Sequence, residues 1–498
     1  MSDGRAMRIA FLPLDDRPIT RGAFLQLAAA AGLEVVTPPR SMLGDRRDPA
    51  DVEALWTWVG GDGADADLLI ASAELLIYGG LVPSRIGHES LDRCLALAAR
   101  FADARRRAPH RRMLVSASNL RLPQTPDASE EPEYWAEHGP RIFAYSYHAD
   151  RFTQTRDAAS QRLAAAADAA IPRPVLADVM ARRARNLTVV LTLIEQASRA
   201  ELECLLIGQD DAAEYGFPQR DLRTIETAIA DRGARARAWA TYGTDELALR
   251  LLARAWLATQ RRVPGVRVVY SYPDNRDAIP RYEGQGLDRT VRSHITTAGC
   301  RPAEHAEDLT LFVHNFPGAQ GEAPFQEPYD AGSLAPFFSN IASAAASARP
   351  FAVADVRYAN GADRTFVDGL LKVPGAARMQ AYGGWNTSSN TIGMALAQAL
   401  LPAGPAAQAF TVTRFLDDWG YQAAVRQRLA AEVVPRYPGG TARRLGPALA
   451  PCAQAARAWL EGDYVPILAP IFGRRIAVTG VGFPWERLFE IDLQVALD

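Results

Sequence analysis

Two adjacent carboxylates, Asp210 and Asp211, directly follow an apolar run in the segment ECLLIGQDDAAEYG. Like charges this close cannot both ionise cheaply, so we expect the pKa of one carboxyl to rise. A protonated acid beside an ionised carboxylate suits acid–base catalysis at neutral pH, and glycosidases use two carboxylates about 5–9 Å apart. The pattern therefore predicts a catalytic pair. The alternative is structural: Asp211 caps a short helix over AAEY, and Asp210 pairs with an arginine.

A second polar group ends the first apolar run of the chain, in LPLDDRP. Pro13 and Pro18 stiffen this stretch, and Arg17 offers a bidentate guanidinium group. We expect Asp15, Asp16 and Arg17 to bind ligand hydroxyls or to orient the acid pair. The alternative is an Asp–Arg bridge with a structural role.

A tryptophan precedes a predicted helix in AYGGWNTSSNTIGMALAQALL. Ser388, Ser389 or Asn390 is expected to cap that helix, and the two glycines allow a ligand to approach the backbone. Trp385 then forms the wall of a sugar pocket, and Asn386 binds a hydroxyl or acetamido group. The alternative is that Trp385 is a core aromatic and Asn386 forms an Asx turn.

Other polar side chains also cluster near the ends of predicted strands. In parallel α/β folds these ends converge on one face, where binding sites are assembled from several loops. Carboxylates, amides and an indole together suit a small, neutral, polyhydroxylated ligand, so the sequence predicts one polar cleft for a carbohydrate substrate. The remaining residues assigned to substrate binding are Glu74, Arg85, Asn119, Arg121, Tyr272, Asp274, Asn315, Asp355 and Asn360.

The elements that must position these residues are short apolar runs separated by amphipathic stretches. Continuous rather than alternating apolar runs, each followed by a helical pattern, indicate an α/β fold with a mostly parallel sheet covered on both faces. A TIM-like (β/α) barrel is the favoured architecture, and two doubly wound α/β lobes are the alternative. The runs cover residues 8–14, 34–37, 67–77, 112–118, 203–208, 235–242, 266–272, 309–315, 351–358 and 378–382.

The chain is expected to have two parts. Residues 1–330 form a barrel-like catalytic domain that carries an Ala- and Arg-rich helical insert at 133–200. Residues 331–498 complete the cleft and end in a β-hairpin over 474–495, where apolar and polar residues alternate around glycines and a proline.

The composition excludes several classes of protein. The formal net charge of −2 gives no basic field for a nucleic acid, and Lys372, the single lysine among 55 basic residues, restricts Schiff-base chemistry to one position. The seven histidines lack HExxH spacing, and the four cysteines are far apart in sequence. Neither an apolar leader nor an 18-residue apolar run is present. We therefore expect a cytoplasmic protein without a cofactor or a membrane or nucleic-acid partner, whereas homo-oligomerisation is left open.

Seven ordered motifs resemble a bacterial family classed as domain of unknown function four-one-two-seven. The resemblance covers nearly the whole chain, from Arg8 to the FPWERLFEIDL tail, and it implies no mechanism by itself. The motifs are LPLDDRP, AELLIYGGLVPSR, SNLRLP, IGQDDAAEYG, YGTDELALRLLAR, ADVRYANGAD and YGGWNTSSNTIG.

The strand followed by two acids also resembles, over about ten residues, the paired-acid motif of substrate-assisted β-N-acetylhexosaminidases. This resemblance implies that Asp210 polarises the substrate acetamido group and that Asp211 is the general acid and base. The implied activity is that of a retaining exo-glycosidase acting on a β-linked GalNAc or GlcNAc without a metal.

Two other functions fit the same residues. One is a metal-dependent hydrolase or isomerase acting on a sugar-like substrate, with oxygen and imidazole ligands for Mg²⁺ or Mn²⁺. The other is a carbohydrate-binding protein without catalytic activity. The ligands of the metal alternative would come from Asp15, Asp16, Asp210, Asp211, His314 and Asp355.

Overall fold

The structure is a computed structural model that describes residues 7–304, 308–347 and 349–498. Residues 1–6, which belong to the segment searched for an apolar leader, lie outside these ranges. The strands in chain order are β1 Arg8–Leu12, β2 Glu34–Val36, β3 Leu68–Ser72, β4 Arg112–Asn119, β5 Cys204–Gln209, β6 Ala238–Tyr242, β7 Gly265–Tyr270, β8 Arg301–Pro302, β9 Leu309–His314, β10 Gly321–Glu322, β11 Phe351–Asp355, β12 Tyr358–Ala359, β13 Ala381–Gly383, β14 Ile476–Gly482 and β15 Asp492–Leu497.

Helices occupy most of the chain between these strands. The α-helices are α1 Ala23–Ala30, α2 Val52–Gly60, α3 Ala73–Tyr78, α4 Leu81–Ile86, α5 Leu91–Arg107, α6 Trp135–Thr155, α7 Ala158–Ala169, α8 Arg173–Ser198, α9 Phe217–Asp231, α10 Leu247–Thr259, α11 Leu287–Thr297, α12 Ala335–Ala346, α13 Arg364–Leu370, α14 Ser388–Leu400, α15 Pro405–Arg414, α16 Arg426–Arg428, α17 Leu449–Trp459 and α18 Val465–Phe472. Within the described ranges, none of these helices is long and apolar enough to cross a membrane.

The chain divides into two compact units, whose limits differ from the expected division at residue 330. The first unit comprises the chain up to Asp16, Gly32–Leu251 and Tyr282–Gln285. The second unit comprises Arg17–Ala31, Leu252–Arg281 and Gly286–Asp498.

The first unit is built on a six-stranded parallel sheet with the order β2-β1-β3-β4-β5-β6. Every residue of β3 and β5 is buried, which explains why these strands are continuous apolar runs rather than alternating ones. The strand order reverses direction at β1, and in open α/β sheets ligands bind beyond the carboxyl ends of strands near such a reversal.

The second unit contains a five-stranded parallel sheet with the order β13-β11-β9-β7-β8. β14 and β15 form a separate antiparallel hairpin that packs against α17 and α15, and this confirms the predicted terminal hairpin. The core of this unit includes Phe351, Phe366, Phe415 and Leu460, all fully buried.

All ten predicted apolar runs contain a strand, so the mixed α/β class with mostly parallel sheets is confirmed. The favoured closed barrel is not what forms. The described strands make two large open parallel sheets, a two-stranded parallel sheet of β10 and β12, and the terminal hairpin, and no pairing among them closes either large sheet. An apolar run shows that a strand is buried on both faces, but it carries no information on whether the first and last strands of a sheet pair.

Three local details refine the predicted elements. The run 67–77 divides into β3 and α3, because the Ser72 side chain caps α3 by accepting a hydrogen bond from the Glu74 amide. Glu74 therefore lies in the first turn of a helix rather than at the end of a strand. Thr387, and not one of the three residues after it, is the N-cap of α14. The predicted helical insert at 133–200 consists of α6, α7 and α8.

Candidate active site

The loops after three neighbouring strands of the first unit bring four of the predicted site residues together. Arg85 lies in the last turn of α4, which follows β3, and Arg121 lies two residues beyond the end of β4. Asp210 and Asp211 come directly after β5. Because β3, β4 and β5 are adjacent and parallel, their carboxyl ends meet at one edge of the sheet.

Two glutamates from the loop between β4 and α6 complete this group. The Arg85 Nη2 atom is 2.5 Å from Asp210 Oδ2, and its Nη1 atom is 2.7 Å from Glu130 Oε2. Arg121 contacts Glu131 at 2.7 Å and Asp211 at 3.3 Å, and it also reaches Glu130 at 3.1 Å. We call these six side chains the carboxylate cluster: Arg85, Arg121, Glu130, Glu131, Asp210 and Asp211.

The carboxylate cluster has more acids than bases. Two guanidinium groups face four carboxylates, so the cluster would carry a net charge of about −2 if every acid were ionised, which is costly in a partly buried site. Asp211 is 29% exposed, the largest value in the cluster, whereas Arg85 is 3% exposed. Asp211 is thus the carboxyl that a ligand reaches most easily.

The pKa values of Asp210 and Asp211 are shifted in opposite directions. Burial tends to raise the pKa of Asp210, but Arg85, Arg121 and the Asp211 amide, which donates to Asp210 Oδ1 at 2.9 Å, hold it below the usual value. Burial and the negative charge of Asp210 raise the pKa of Asp211 to about 7. Asp210 is therefore anionic at neutral pH, whereas Asp211 is about half protonated near pH 7 and mostly protonated below it.

The structural alternative for this segment is partly realised. Asp210 does pair with an arginine, Arg85. Residues 212–215 do not form a helix, however, so Asp211 caps none there.

Four other predicted residues of the first unit lie elsewhere in it. Asp15 and Asp16 are buried just beyond β1, and Asp16 accepts two hydrogen bonds from Arg40, at 2.9 and 3.1 Å. Glu74 accepts from the Ser72 hydroxyl and the Ser118 amide. Asn119 donates to Gln209 and to the Pro218 carbonyl. Glu74 and Asn119 thus tie strand ends together.

The second unit holds the rest of the predicted set, so the sixteen residues expected in one cleft divide between the units. Arg17 pairs with Glu490 at 2.8 Å and stacks on the Trp485 ring. Asp274 is exposed in a short turn after β7. Asn315 is fully buried and exchanges hydrogen bonds with the Tyr272 backbone.

Asp355 and the two asparagines Asn360 and Asn386 have structural contacts in the second unit. Asp355 is 1% exposed and accepts a hydrogen bond from the Asp363 amide, and burial raises its pKa well above the usual value. Asn360 and Asn386 both have left-handed backbones, with φ of 63° and 71°, and the Asn360 amide donates to the Asn386 carbonyl. Asn386 Oδ1 also accepts from the amide of the next residue, an Asx-type contact.

Trp385 lies in the core of the second unit. Its side chain is 3% exposed and lines a cavity of about 50 Å³, together with Asp417, Arg414 and Glu490. A cavity of this size holds one or two water molecules rather than a sugar ring. The indole N–H lies without a hydrogen-bond partner among the described residues.

Sequence reasoning missed Glu130 and Glu131. Their signal was the acidic pair in the proline-containing loop SEEPEYW, but nothing local links that loop to Arg85 or Arg121. A second acid pair, Asp417 and Asp418, was also missed: it is buried against Arg414, and burial raises the pKa of Asp418 to about 7.

The residues proposed as metal ligands are also divided, with His314 and Asp355 in the second unit and the other four aspartates in the first. Across the described parts of the chain, no group of three or more His, Cys, Asp or Glu side chains is arranged to hold a metal ion.

A family model described as "Protein of unknown function (DUF4127)" matches residues 9–494. The chain belongs to this family. The matched residues include the whole carboxylate cluster and every other predicted site residue. Comparison with curated proteins and with solved structures gave no significant match. The family description states no activity, so a proposal of function must come from the geometry of the site.

Proposed function

We propose that this member of the DUF4127 family is a glycoside hydrolase in which Asp210 and Asp211 are the catalytic pair. The observation that carries the proposal is the asymmetric environment of the two carboxyls. Asp210 is held as an anion by Arg85, whereas Asp211 is more exposed and its pKa is raised to about 7. An ionised and a protonated carboxyl side by side are the groups that glycoside cleavage requires.

The proposed substrate is a β-linked N-acetylhexosaminide, either GalNAc or GlcNAc, cleaved from the non-reducing end. Asp210 accepts a hydrogen bond from the acetamido N–H and so polarises the acetamido carbonyl oxygen toward the anomeric carbon. Each carboxylate oxygen has two acceptor positions, so Asp210 can bind the substrate while it retains Arg85 and the Asp211 amide.

The reaction proceeds in two steps with retention of configuration. First, the acetamido oxygen bonds to the anomeric carbon, the glycosidic C–O bond breaks, and Asp211 gives its proton to the leaving oxygen. An oxazolinium ion remains, and its N–H still donates to the ionised Asp210. Second, water attacks the anomeric carbon while Asp211 takes a proton from that water, and the acetamido group is restored. Asp210 stays ionised throughout.

Arg121 and the two glutamates position the pair. Arg121 lies 3.3 Å from Asp211 and opposes the rise of its pKa, while Glu130 raises it further. Burial and the negative charge of Asp210 are the largest causes of the raised pKa of Asp211, and the neighbouring charges adjust it close to neutral pH, where a group can both give and take a proton. The charges of the carboxylate cluster thus adjust the pKa of Asp211.

The deciding experiment is a screen of chromogenic glycosides with the full chain, in the presence and absence of a chelator. We expect release of nitrophenol from an N-acetyl-β-hexosaminide and much slower release from the matching glycoside with a 2-hydroxyl group, because only the acetamido group supplies the internal nucleophile. Activity that chelator abolishes would indicate the metal-dependent alternative. Saturable sugar binding without turnover would indicate a carbohydrate-binding protein.

A further inference from the structure

A serine, a histidine and an aspartate form a hydrogen-bonded chain at the carboxyl edge of the sheet in the second unit. Ser271 follows β7, His314 ends β9, and Asp363 is the N-cap of α13, which comes after β11 and the short strand β12. The Ser271 Oγ atom is 3.0 Å from His314 Nδ1, and His314 Nε2 is 3.0 Å from Asp363 Oδ2. β7, β9 and β11 are neighbours in the sheet, so their order places the three side chains in a row.

The surroundings of Asp363 determine which ring nitrogen of His314 carries the proton. Asp363 Oδ2 also accepts from the Tyr329 hydroxyl at 2.7 Å and from Arg357 Nε at 3.1 Å. Burial opposes ionisation of Asp363, but these donors and His314 lower its pKa below the usual value. A carboxylate with these donors requires an N–H at His314 Nε2.

The protonation state of His314 also determines the direction of its hydrogen bond with Ser271. Burial lowers the pKa of His314, so the ring is neutral and its Nδ1 atom has a free lone pair. Nδ1 is therefore the acceptor for the Ser271 hydroxyl at 3.0 Å, and the same hydroxyl has two more distant acceptors in Asn315, the Oδ1 atom at 3.2 Å and the carbonyl oxygen at 3.4 Å. The Asn315 amide donates to the Ser271 oxygen at 3.1 Å, which orients the hydroxyl further.

Packing buries His314 and Asp363 in this hydrogen-bonded series and leaves Ser271 partly exposed. The His314 ring stacks on the Phe366 ring at a centroid distance of 4.0 Å and is fully buried, and Asp363 is 1% exposed. Ser271 is partly exposed. A nucleophile, its base and an orienting acid require this arrangement, in which the residue that carries the reacting oxygen is partly exposed and the groups that activate it are buried.

We propose that Ser271, His314 and Asp363 form a second reactive centre, which transfers the acyl group of a carboxylic ester. The Ser271 oxygen bonds to the ester carbonyl carbon while its proton passes to His314 Nδ1. The ester C–O bond then breaks, and the leaving alcohol takes that proton. Water cleaves the acyl-serine by the same route, and the serine proton is restored. In serine proteases Nε2 of the histidine faces the serine and Nδ1 faces the acid, whereas here Nδ1 faces Ser271 and Nε2 faces Asp363. The chemistry needs only a lone pair facing the serine and an N–H facing the acid.

A fluorophosphonate probe tests this centre, because it reacts with activated serines by forming an O–P bond and releasing fluoride. We expect one label per chain, mapped by peptide mass to Ser271, and hydrolysis of nitrophenyl acetate by the unlabelled protein. Ser271→Ala should abolish the label, and His314→Gln should slow it at least about 100-fold, since that is the usual contribution of a general base. Ser333→Ala, which alters an exposed serine of the same unit, is the matched control and should label normally.

A folded wild-type protein that carries no label at Ser271, or a Ser271→Ala protein that is labelled as fast as wild type, would overturn the proposal. Ser271 would then be a structural hydroxyl that joins β7 to His314. If His314→Gln does not fold, mapping of the wild-type label and its loss in Ser271→Ala still decide the question. The glycosidase proposal does not depend on this outcome.

Discussion

Asp210 and Asp211 are adjacent in sequence, yet their carboxylates have unlike partners. Asp210 accepts hydrogen bonds from the Arg85 guanidinium at 2.5 Å and from the Asp211 amide at 2.9 Å, whereas Asp211 contacts Arg121 at the longer distance of 3.3 Å. Asp210 is consequently bound as an anion, and its charge is one reason that its neighbour retains a proton.

Asp211→Asn should slow hydrolysis by an amount that depends on the leaving group. We expect a loss of about 10²–10⁴-fold in kcat/KM for an alkyl N-acetyl-β-hexosaminide, whose leaving oxygen must be protonated, and a smaller loss for the nitrophenyl glycoside, whose leaving group departs as a stable anion. Asp231→Asn, at an exposed position in the same unit, is the control. Equal losses for the two substrates would mean that Asp211 is not the proton donor.

Glu130→Gln should move the alkaline limb of the activity profile to lower pH. With the pKa of Asp211 at about 7, kcat/KM for the alkyl glycoside should fall about tenfold per pH unit above neutrality. The negative charge of Glu130 raises that pKa, so its removal should shift the limb down by about half to one pH unit. Glu133→Gln, an exposed acid of the same loop, should leave the limb unchanged. A shift in the opposite direction would show that another group governs the profile.

Asp210→Asn should reduce both turnover and stability. The substitution removes the anion that polarises the acetamido group, and it leaves Arg85, 3% exposed, with Glu130 as its remaining carboxylate partner in the cluster. We expect at least about 100-fold lower kcat. The free energy of unfolding in urea should fall by about 2–4 kcal/mol. Normal turnover in a folded Asp210→Asn protein would contradict the proposed mechanism.

Asp211→Asn should also change how stability depends on pH. The folded chain binds a proton at Asp211 up to a pKa of about 7, whereas the unfolded chain releases it near 3.8, so this group makes unfolding easier as pH rises from about 4 to 7. Asparagine does not ionise, so the Asp211→Asn variant lacks this decrease in the free energy of unfolding. Near pH 4 the two proteins should be similarly stable, and at pH 8 the variant should be more stable by about 1–3 kcal/mol, a range that allows for hydration of the partly exposed side chain. Urea unfolding at several pH values measures the difference, and parallel stability curves would refute it.

Gly208→Ala should destabilise the strand that carries the acid pair. A Cβ atom at Gly208 would lie 2.2 Å from the Gly243 carbonyl oxygen and 2.8 Å from a Leu247 methyl group, so the backbone would have to shift. We expect a loss of about 1–3 kcal/mol in the free energy of unfolding, as for other overpacked core positions. Gly60→Ala, at a helical position with open space around the new Cβ, should be neutral or slightly stabilising. Equal stabilities of the two variants would contradict the close approach of β5 to Gly243.

Local patterns were sufficient to predict much of this protein. Each of the ten apolar runs contains a strand, the terminal hairpin forms, and Asp210 and Asp211 follow a buried strand as expected. These features depend on residues close together in sequence, since burial of a strand on both faces leaves a continuous apolar run. Membership of the predicted family is also confirmed, by the family model that matches residues 9–494.

Tertiary structure alone decided how the strands associate and which charges meet. Two open sheets form instead of a barrel because strand order depends on pairings between distant segments, which an apolar run does not encode. Arg85 binds Glu130 and Asp210, from positions 45 and 125 residues further along the chain. The electrostatic state of an acid is set by the burial and charges that folding places around it, so the sequence predicted the pair of carboxyls, and only the folded chain determined which of them keeps its proton.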